Sequence, residues 1–305
     1  MAEDYPKTML ELEQRFNDEA ACRSYLTALR WPEGFVCPRC SERKPLQIRR
    51  DLWRCLSCRR ETSTSAGTVF QDSKLPLTLW FRAMWQITSQ KNGMSALGLQ
   101  RVLGLGSYKT AWTVLHKLRR AMVRPGRDRL HGIIEVDEAY WGGEEAKVSG
   151  RQTYTKALIA VAAEADGQKI GRIRLQYIPD CTRKTLHGFI TNMIELGSTV
   201  QTDGLPAYRE LQGYVHQRLI QARQPDDADH LLPRVPLVIS LLKRWLMGTH
   251  QGAVAAEYLQ DYLDEFTFRF NRRTSASRGK LFYRLAQQAV QTAPTTYDSL
   301  GHHTL

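Results

Sequence analysis

Apolar residues between positions 8 and 29 recur near helical spacing: Met9, Leu10, Leu12, Phe16, Ala20, Leu26 and Leu29. This predicts one amphipathic helix, stopped by Trp31-Pro32. The period is then lost, and PLQIRRDLWRC alternates as a short hairpin does. A second helical stretch covers 77–89 (LTLWFRAMWQITS) and breaks at Lys91-Asn92-Gly93. Ser95 can cap a further helix running to about Leu103. Gly104-Leu105-Gly106 is a turn, and Ser107 can cap YKTAWTVLHKLRRAM. From residue 131 the pattern becomes strand-like. HGIIEVDEAYWGG reads as a short apolar strand ending on acids, and 156–164 and 168–178 as two more around the Asp166-Gly167 turn. Residues 182–196 read as a helix, and a strand from Ser198 runs into Asp203-Gly204. No run of eighteen apolar residues occurs, so no membrane span is expected.

Six cysteines change the picture of the amino-terminal part. Cys37-Pro-Arg-Cys40 and Cys55-Leu-Ser-Cys58 form two knuckles, while Cys22 and Cys181 stand alone as small apolar residues. Two residues between cysteines let both thiolates meet one ion, and two knuckles complete the four-sulfur shell that Zn²⁺ prefers. This is a zinc ribbon, with redox dithiols or an iron–sulfur cluster as the rivals. Four protein ligands leave no open position, so the zinc is expected to be structural. The mixed-charge start, without an apolar run, is not a signal peptide. The expected location is the cytoplasm, associated with the nucleoid.

The net charge is +12. Arg39–Arg60 and Lys109–Leu130 each carry a net +6, so the remainder is near neutral. Such concentration points to a polyanion, double-stranded DNA, rather than to solvated basic faces alone. The second basic stretch coincides with two short helices joined by a glycine turn, the helix-turn-helix arrangement. Its last helix would hold Lys109, Thr113, His116, Lys117 and Arg120 away from an apolar stripe of Ala111, Trp112, Leu115 and Leu118, which suits the major groove. The plainer reading is an ordinary helical hairpin.

Two aspartates, Asp137 and Asp203, fall at or near strand ends 66 residues apart. Strand–strand–strand–helix–strand, with one acid on the first strand and one after the fourth, is the RNase-H-like order. Cutting and joining a phosphodiester needs the attacking and leaving oxygens stabilised together, which two divalent ions held by carboxylates can do. Glu135 shares the face of Asp137 by strand alternation, and Glu138 takes the other face.

CPRC, CLSC, VDEAYWGG, TDGLPAY, VISLLKRWLMGTHQGAV, YLDEFTFRFNRRTS and GKLFYRLAQQAV together resemble bacterial insertion-sequence transposases with an amino-terminal zinc ribbon and an ISXO-like catalytic domain of the DDE type. The resemblance implies an RNase-H-like fold, Mg²⁺- or Mn²⁺-dependent cleavage and strand transfer at terminal inverted repeats, and action as a homo-oligomer on transposon ends and target DNA. It makes Asp137 and Asp203 the first two catalytic residues. It places the third seven residues before Lys243, where this chain has Pro236, with Pro233 three residues earlier. Proline offers no ligand atom and no N–H. Either the match to the family shifts at this point, or a neighbour fills the place (Asp226, Asp227, Asp229 and His230 lie upstream, Glu265 downstream), or the chain is a catalytically impaired DNA-binding derivative.

The expected organisation is a helix and ribbon over 1–70, a helix-turn-helix-like DNA-binding region over 71–125, an RNase-H-like mixed-sheet core over 131–246 and a helical extension over 247–305. Lys243, Arg244, Arg272 and Arg273 join Lys109, Lys117 and Arg120 as candidate phosphate contacts. The alternative for the carboxy-terminal bases is helix-face pairing with acids.

Overall fold

The computed structural model describes residues 3–49, 51–142, 156–219 and 232–300. The chain forms two compact units, Pro125–Arg273 and the segments on either side of it, Met1–Arg124 and Thr274–Leu305.

In the flanking unit the single helix expected over 8–29 is two, α1 (Met9–Arg15) and α2 (Glu19–Arg30). Asp18 interrupts the run because its carboxylate accepts the Ala21 N–H at 2.7 Å, which starts a new helix. The ribbon follows as a three-stranded antiparallel sheet of β1 (Pro45–Arg49), β2 (Leu52–Cys55) and β3 (Glu61–Ser63). Next come α3 (Leu77–Ser89), α4 (Ala96–Leu103) and α5 (Tyr108–Ala121). Ser95 caps α4 through its hydroxyl, and Gly104 ends it in the left-handed conformation at φ 61°.

The other unit is a five-stranded sheet in the order β6-β5-β4-β7-β8. Its strands are β4 (Ile133–Trp141), β5 (Ala157–Asp166), β6 (Lys169–Ile178), β7 (Thr199–Thr202) and β8 (Val215–Arg218). β4, β5 and β6 pair antiparallel, whereas β7 runs parallel to β4 and β8 parallel to β7. This is the RNase-H-like arrangement. Helix α6 (Arg183–Met193) covers one face, packing Leu186, Phe189 and Ile190 on Ile134, Val136 and Val200. Helices α7 (Arg234–His250) and α8 (Leu259–Phe270) cover the other, through Val235, Val238, Leu242, Leu263 and Phe266 against Ile159, Val161 and Leu175.

β4 does not stop at the acids as the sequence suggested. It continues to Trp141, and Asp137 sits inside it opposite Val161 of β5. The tail beyond residue 246 divides, α8 lying on the sheet and α9 (Arg278–Ala289) returning to the flanking unit. There Phe282 stacks among Phe16, Tyr25, Phe81 and Trp85, with ring centroids 5.6–6.3 Å away. Gly279 makes that docking possible, since a Cβ there would lie 1.7 Å from the Pro6 carbonyl oxygen. No helix of the described residues is long and apolar enough to cross a membrane.

Candidate functional site

The four knuckle thiols converge. Their sulfurs all lie within 4.8 Å of one another, with Cys37–Cys58 at 3.5 Å and Cys40–Cys55 at 3.6 Å. A tetrahedral zinc with Zn–S of about 2.3 Å puts its sulfurs about 3.8 Å apart, while a disulfide needs about 2.05 Å. The spacing therefore fits a metal and not a disulfide. Both knuckles share one backbone design. Ser41 N–H donates to Cys37 O and Arg59 N–H to Cys55 O, each at 2.9 Å, and Ser41 and Arg59 turn left-handed at φ 60° and 61°. Burial acts to raise the Cys37 thiol, but the N–H groups of Arg39 and Cys40 together with the neighbouring Cys58 and Cys40 thiols bring it down to about 6. Trp31, Phe35 and Trp53 pack beside the cluster. Among the described residues no other group of three metal-ligating side chains converges.

The acids of β4 divide between its faces. Glu135, wholly buried, faces α7. Its carboxylate accepts the Arg234 N–H (2.7 Å), the Val235 N–H (3.0 Å) and the Arg234 guanidinium (2.7 Å). It is thus the cap of α7, a helix that begins on Pro233 without a side-chain cap of its own. Pro236 lies in that first turn, where an N–H has no intrahelical acceptor, so both prolines suit a helix start. No Asp or Glu occurs along α7.

Asp137 lies on β4 and Asp203 directly after β7, the parallel strand beside it. β4 and β7 pair Ile133 with Thr199, Ile134 with Val200 and Glu135 with Gln201, always 66 residues apart. Asp137 and Asp203 share that offset, but the ladder ends at Glu135–Gln201 and β7 at Thr202, so Asp203 lies one residue past its strand. Asp203 accepts the Leu205 N–H at 2.9 Å, which closes a tight turn into a short 3₁₀ helix, Pro206–Tyr208. From there Tyr208, fully buried, sends its hydroxyl to Glu138 Oε2 at 2.9 Å on the α6 face. Its phenol is held far above its ordinary pKa, first by burial, then by Glu138 and by the charges of Asp137 and Asp203.

Strand β8, which the sequence pattern did not reveal, supports the same turn. The Thr202 hydroxyl donates to Asp203 O at 3.0 Å and meets His216 Nε2 at 2.9 Å. Arg218 reaches Gly204 O at 3.4 Å. Tyr208 was visible beforehand only as the last letter of TDGLPAY.

The remaining candidates are scattered. Asp226, Asp227, Asp229 and His230 lie outside the described residues. Glu265 is buried on α8, 3.4 Å from Arg269. On α5, His116 is buried against Trp112 rather than displayed, because the apolar face runs through Ala111, Val114, Leu115 and Leu118. Lys117 is half-buried, and burial lowers its pKa against the pull of Asp72. Lys109 lies 3.7 Å from the Tyr297 ring, and Arg120 donates to Ser299 O at 3.3 Å, so the segment 297–299 rests on this helix. Lys243 and Arg244 are exposed on α7. Arg273 instead donates to Gly171 O, Ile170 O and Phe270 O, and Arg272 to Phe268 O at 3.0 Å, local roles for two bases expected on phosphates.

Residues 129–271 match the family model described as an ISXO2-like transposase domain, and residues 17–61 match a transposase zinc-ribbon domain. The chain is also 27% identical over 277 residues to an uncharacterized protein in transposable element ISH50 of Halobacterium salinarum, an alignment covering 83% of this chain and 91% of the relative.

Proposed function

Because the chain belongs to the insertion-sequence transposases that join a zinc ribbon to an ISXO2-like catalytic domain, we propose that it cuts DNA at the ends of its element and joins them to a target. The observation that carries this reading is the shared 66-residue offset of Asp137 and Asp203 with the β4–β7 ladder. A carboxylate on β4 and another just past the end of the parallel strand β7 are a donor set suited to hard divalent cations. Mg²⁺ or Mn²⁺ bound there would stabilise charge on the attacking and leaving oxygens. Asp137 and Asp203 would hold it. Glu135 faces the same side but is committed to α7, and Glu138 to Tyr208. The ribbon holds Zn²⁺ as a structural ion. The ribbon, the helix-turn-helix and the exposed Lys243 and Arg244 bind the phosphates, and the chain acts as a homo-oligomer on paired ends.

Cleavage and strand transfer on oligonucleotides carrying the terminal repeats, in Mg²⁺ and in Mn²⁺, test this. Native activity is expected, with loss in Asp137→Asn and in Asp203→Asn. A native chain that binds its ends and never cuts them overturns it. A second reading, a DNA-binding derivative without chemistry, is favoured by Pro236 and by the absence of an acid on α7. Its signature is an inactive native chain in which Pro236→Glu or Pro236→His restores cleavage.

A further inference from the structure

The last β4–β7 pair is Glu135 with Gln201, and β7 ends at Thr202. Asp137 and Asp203 therefore stand beyond the ladder, where backbone hydrogen bonds no longer fix the gap between the strands. What spans the gap is a side-chain tie. Tyr208 lies on the 3₁₀ helix that follows Asp203, and Glu138 is the neighbour of Asp137 on β4. The Tyr208 hydroxyl donates to Glu138 Oε2 at 2.9 Å, with Tyr208 wholly buried and Glu138 nearly so. At the near end of the loop, the Asp203 carboxylate accepts the Leu205 N–H at 2.9 Å, so the segment between the aspartate and the tyrosine is short and internally braced.

We propose that Tyr208 is a positioning residue, which through Glu138 locks the loop carrying Asp203 to the strand carrying Asp137 and so sets the spacing of the two carboxylates for a divalent cation. This rests on the functional reading above. It assigns Glu138 the part of an anchor rather than of a third ligand. The carboxylate faces away from Asp137 along the strand, and one of its oxygens is committed to the phenol. Partners that orient metal ligands in this way typically contribute tenfold or more to metal affinity.

The test is Mn²⁺ binding to the DNA-free, zinc-loaded protein, followed by electron paramagnetic resonance, with Asp137→Asn as the reference for binding elsewhere. Tyr208→Phe removes one hydroxyl and is expected to weaken Mn²⁺ binding about tenfold with zinc content unchanged. Glu138→Gln keeps an oxygen that accepts the phenol and is expected to stay within about twofold of the native chain. If Tyr208→Phe does not fold, the double variant Tyr208→Phe/Glu138→Leu replaces both partners by apolar groups, a change that can be nearly neutral for stability. It is expected to show the same tenfold loss. Native affinity in Tyr208→Phe, or in the double variant, overturns the proposal. Loss in Glu138→Gln as complete as in Asp137→Asn also overturns it, by making Glu138 a ligand. A native chain that binds no more Mn²⁺ than Asp137→Asn overturns the functional reading, and the tie with it.

Discussion

Replacing Glu135 with alanine takes away three hydrogen bonds at the start of α7, to the Arg234 and Val235 N–H groups and to the Arg234 guanidinium, all 2.7–3.0 Å long. The acid is fully buried, and the Arg234 side chain is 16% exposed. Breaking a buried ion pair from one side costs about 3–5 kcal/mol, because the surviving charge stays out of water. Arg234 keeps two other acceptors, Lys169 O at 3.2 Å and Gly167 O at 2.6 Å, which places the expected cost near the lower end of that range. A loss of about 3 kcal/mol is roughly a hundredfold in an opening equilibrium. The assay is hydrogen exchange read on peptides from α7, with urea unfolding alongside. Exchange in the first turns of α7 should quicken about a hundredfold in Glu135→Ala and by less in Glu135→Gln, which keeps one acceptor. Arg234→Leu and the double variant complete the cycle, and a coupling of at least 1 kcal/mol in magnitude is expected between contacting residues (about 0.5–3 kcal/mol in general). Unchanged exchange in α7, or no coupling in the cycle, would refute the claim that this glutamate caps the helix.

The protein should carry one tightly held zinc, lost in Cys55→Ser. Chelation should raise exchange over 35–63 and leave β4, β5 and β6 protected; a ribbon indifferent to chelators would sink the metal reading. Glu164 is brought down to about 2 although burial acts to raise it, because the Arg172 guanidinium and the N–H groups of His131 and Arg172 hold its carboxylate. Its contribution is complete above the ordinary value of 4.5 and is lost as pH falls from there toward 2. Glu164→Gln should therefore lower stability at neutral pH, and the difference from the native chain should shrink across that window; a difference that stays constant refutes the assignment. Lys243→Ala with Arg244→Ala should weaken binding to all duplexes alike and reduce the salt slope of affinity by about 2; an unchanged slope would show that α7 does not meet phosphates.

The long periodic segments were legible in the sequence because burial and period agree there, as in α3, α5, β5 and β6. What escaped was decided by single side chains. Asp18 divides the first helix because one carboxylate competes for a backbone N–H. β8 is a four-residue edge strand, VHQR, with three of its four positions exposed, so it carries no apolar alternation to detect. Asp203 was legible as an acid at a strand end, whereas Asp137, expected at one, lies inside β4. That their strands are parallel neighbours was not legible, since no local pattern encodes the β4–β7 pairing. The prolines at 233 and 236 looked like missing chemistry in the sequence. In the fold they are the opening of a helix whose cap comes from a strand a hundred residues earlier.

The return of α9 to the flanking unit has a consequence during synthesis. The chain leaves that unit at Arg124 and resumes it at Thr274. At roughly 5–20 residues per second, the ribosome needs about 7–30 s to make the intervening segment. Through that interval Phe81 and Trp85 of α3 wait without Phe282. The sheet unit, contiguous in sequence, can close first. A message interrupted anywhere between 125 and 273 would yield a nascent chain whose ribbon-bearing unit is unfinished, and proteolysis of ribosome-arrested chains should find α3 cleavable until α9 has emerged.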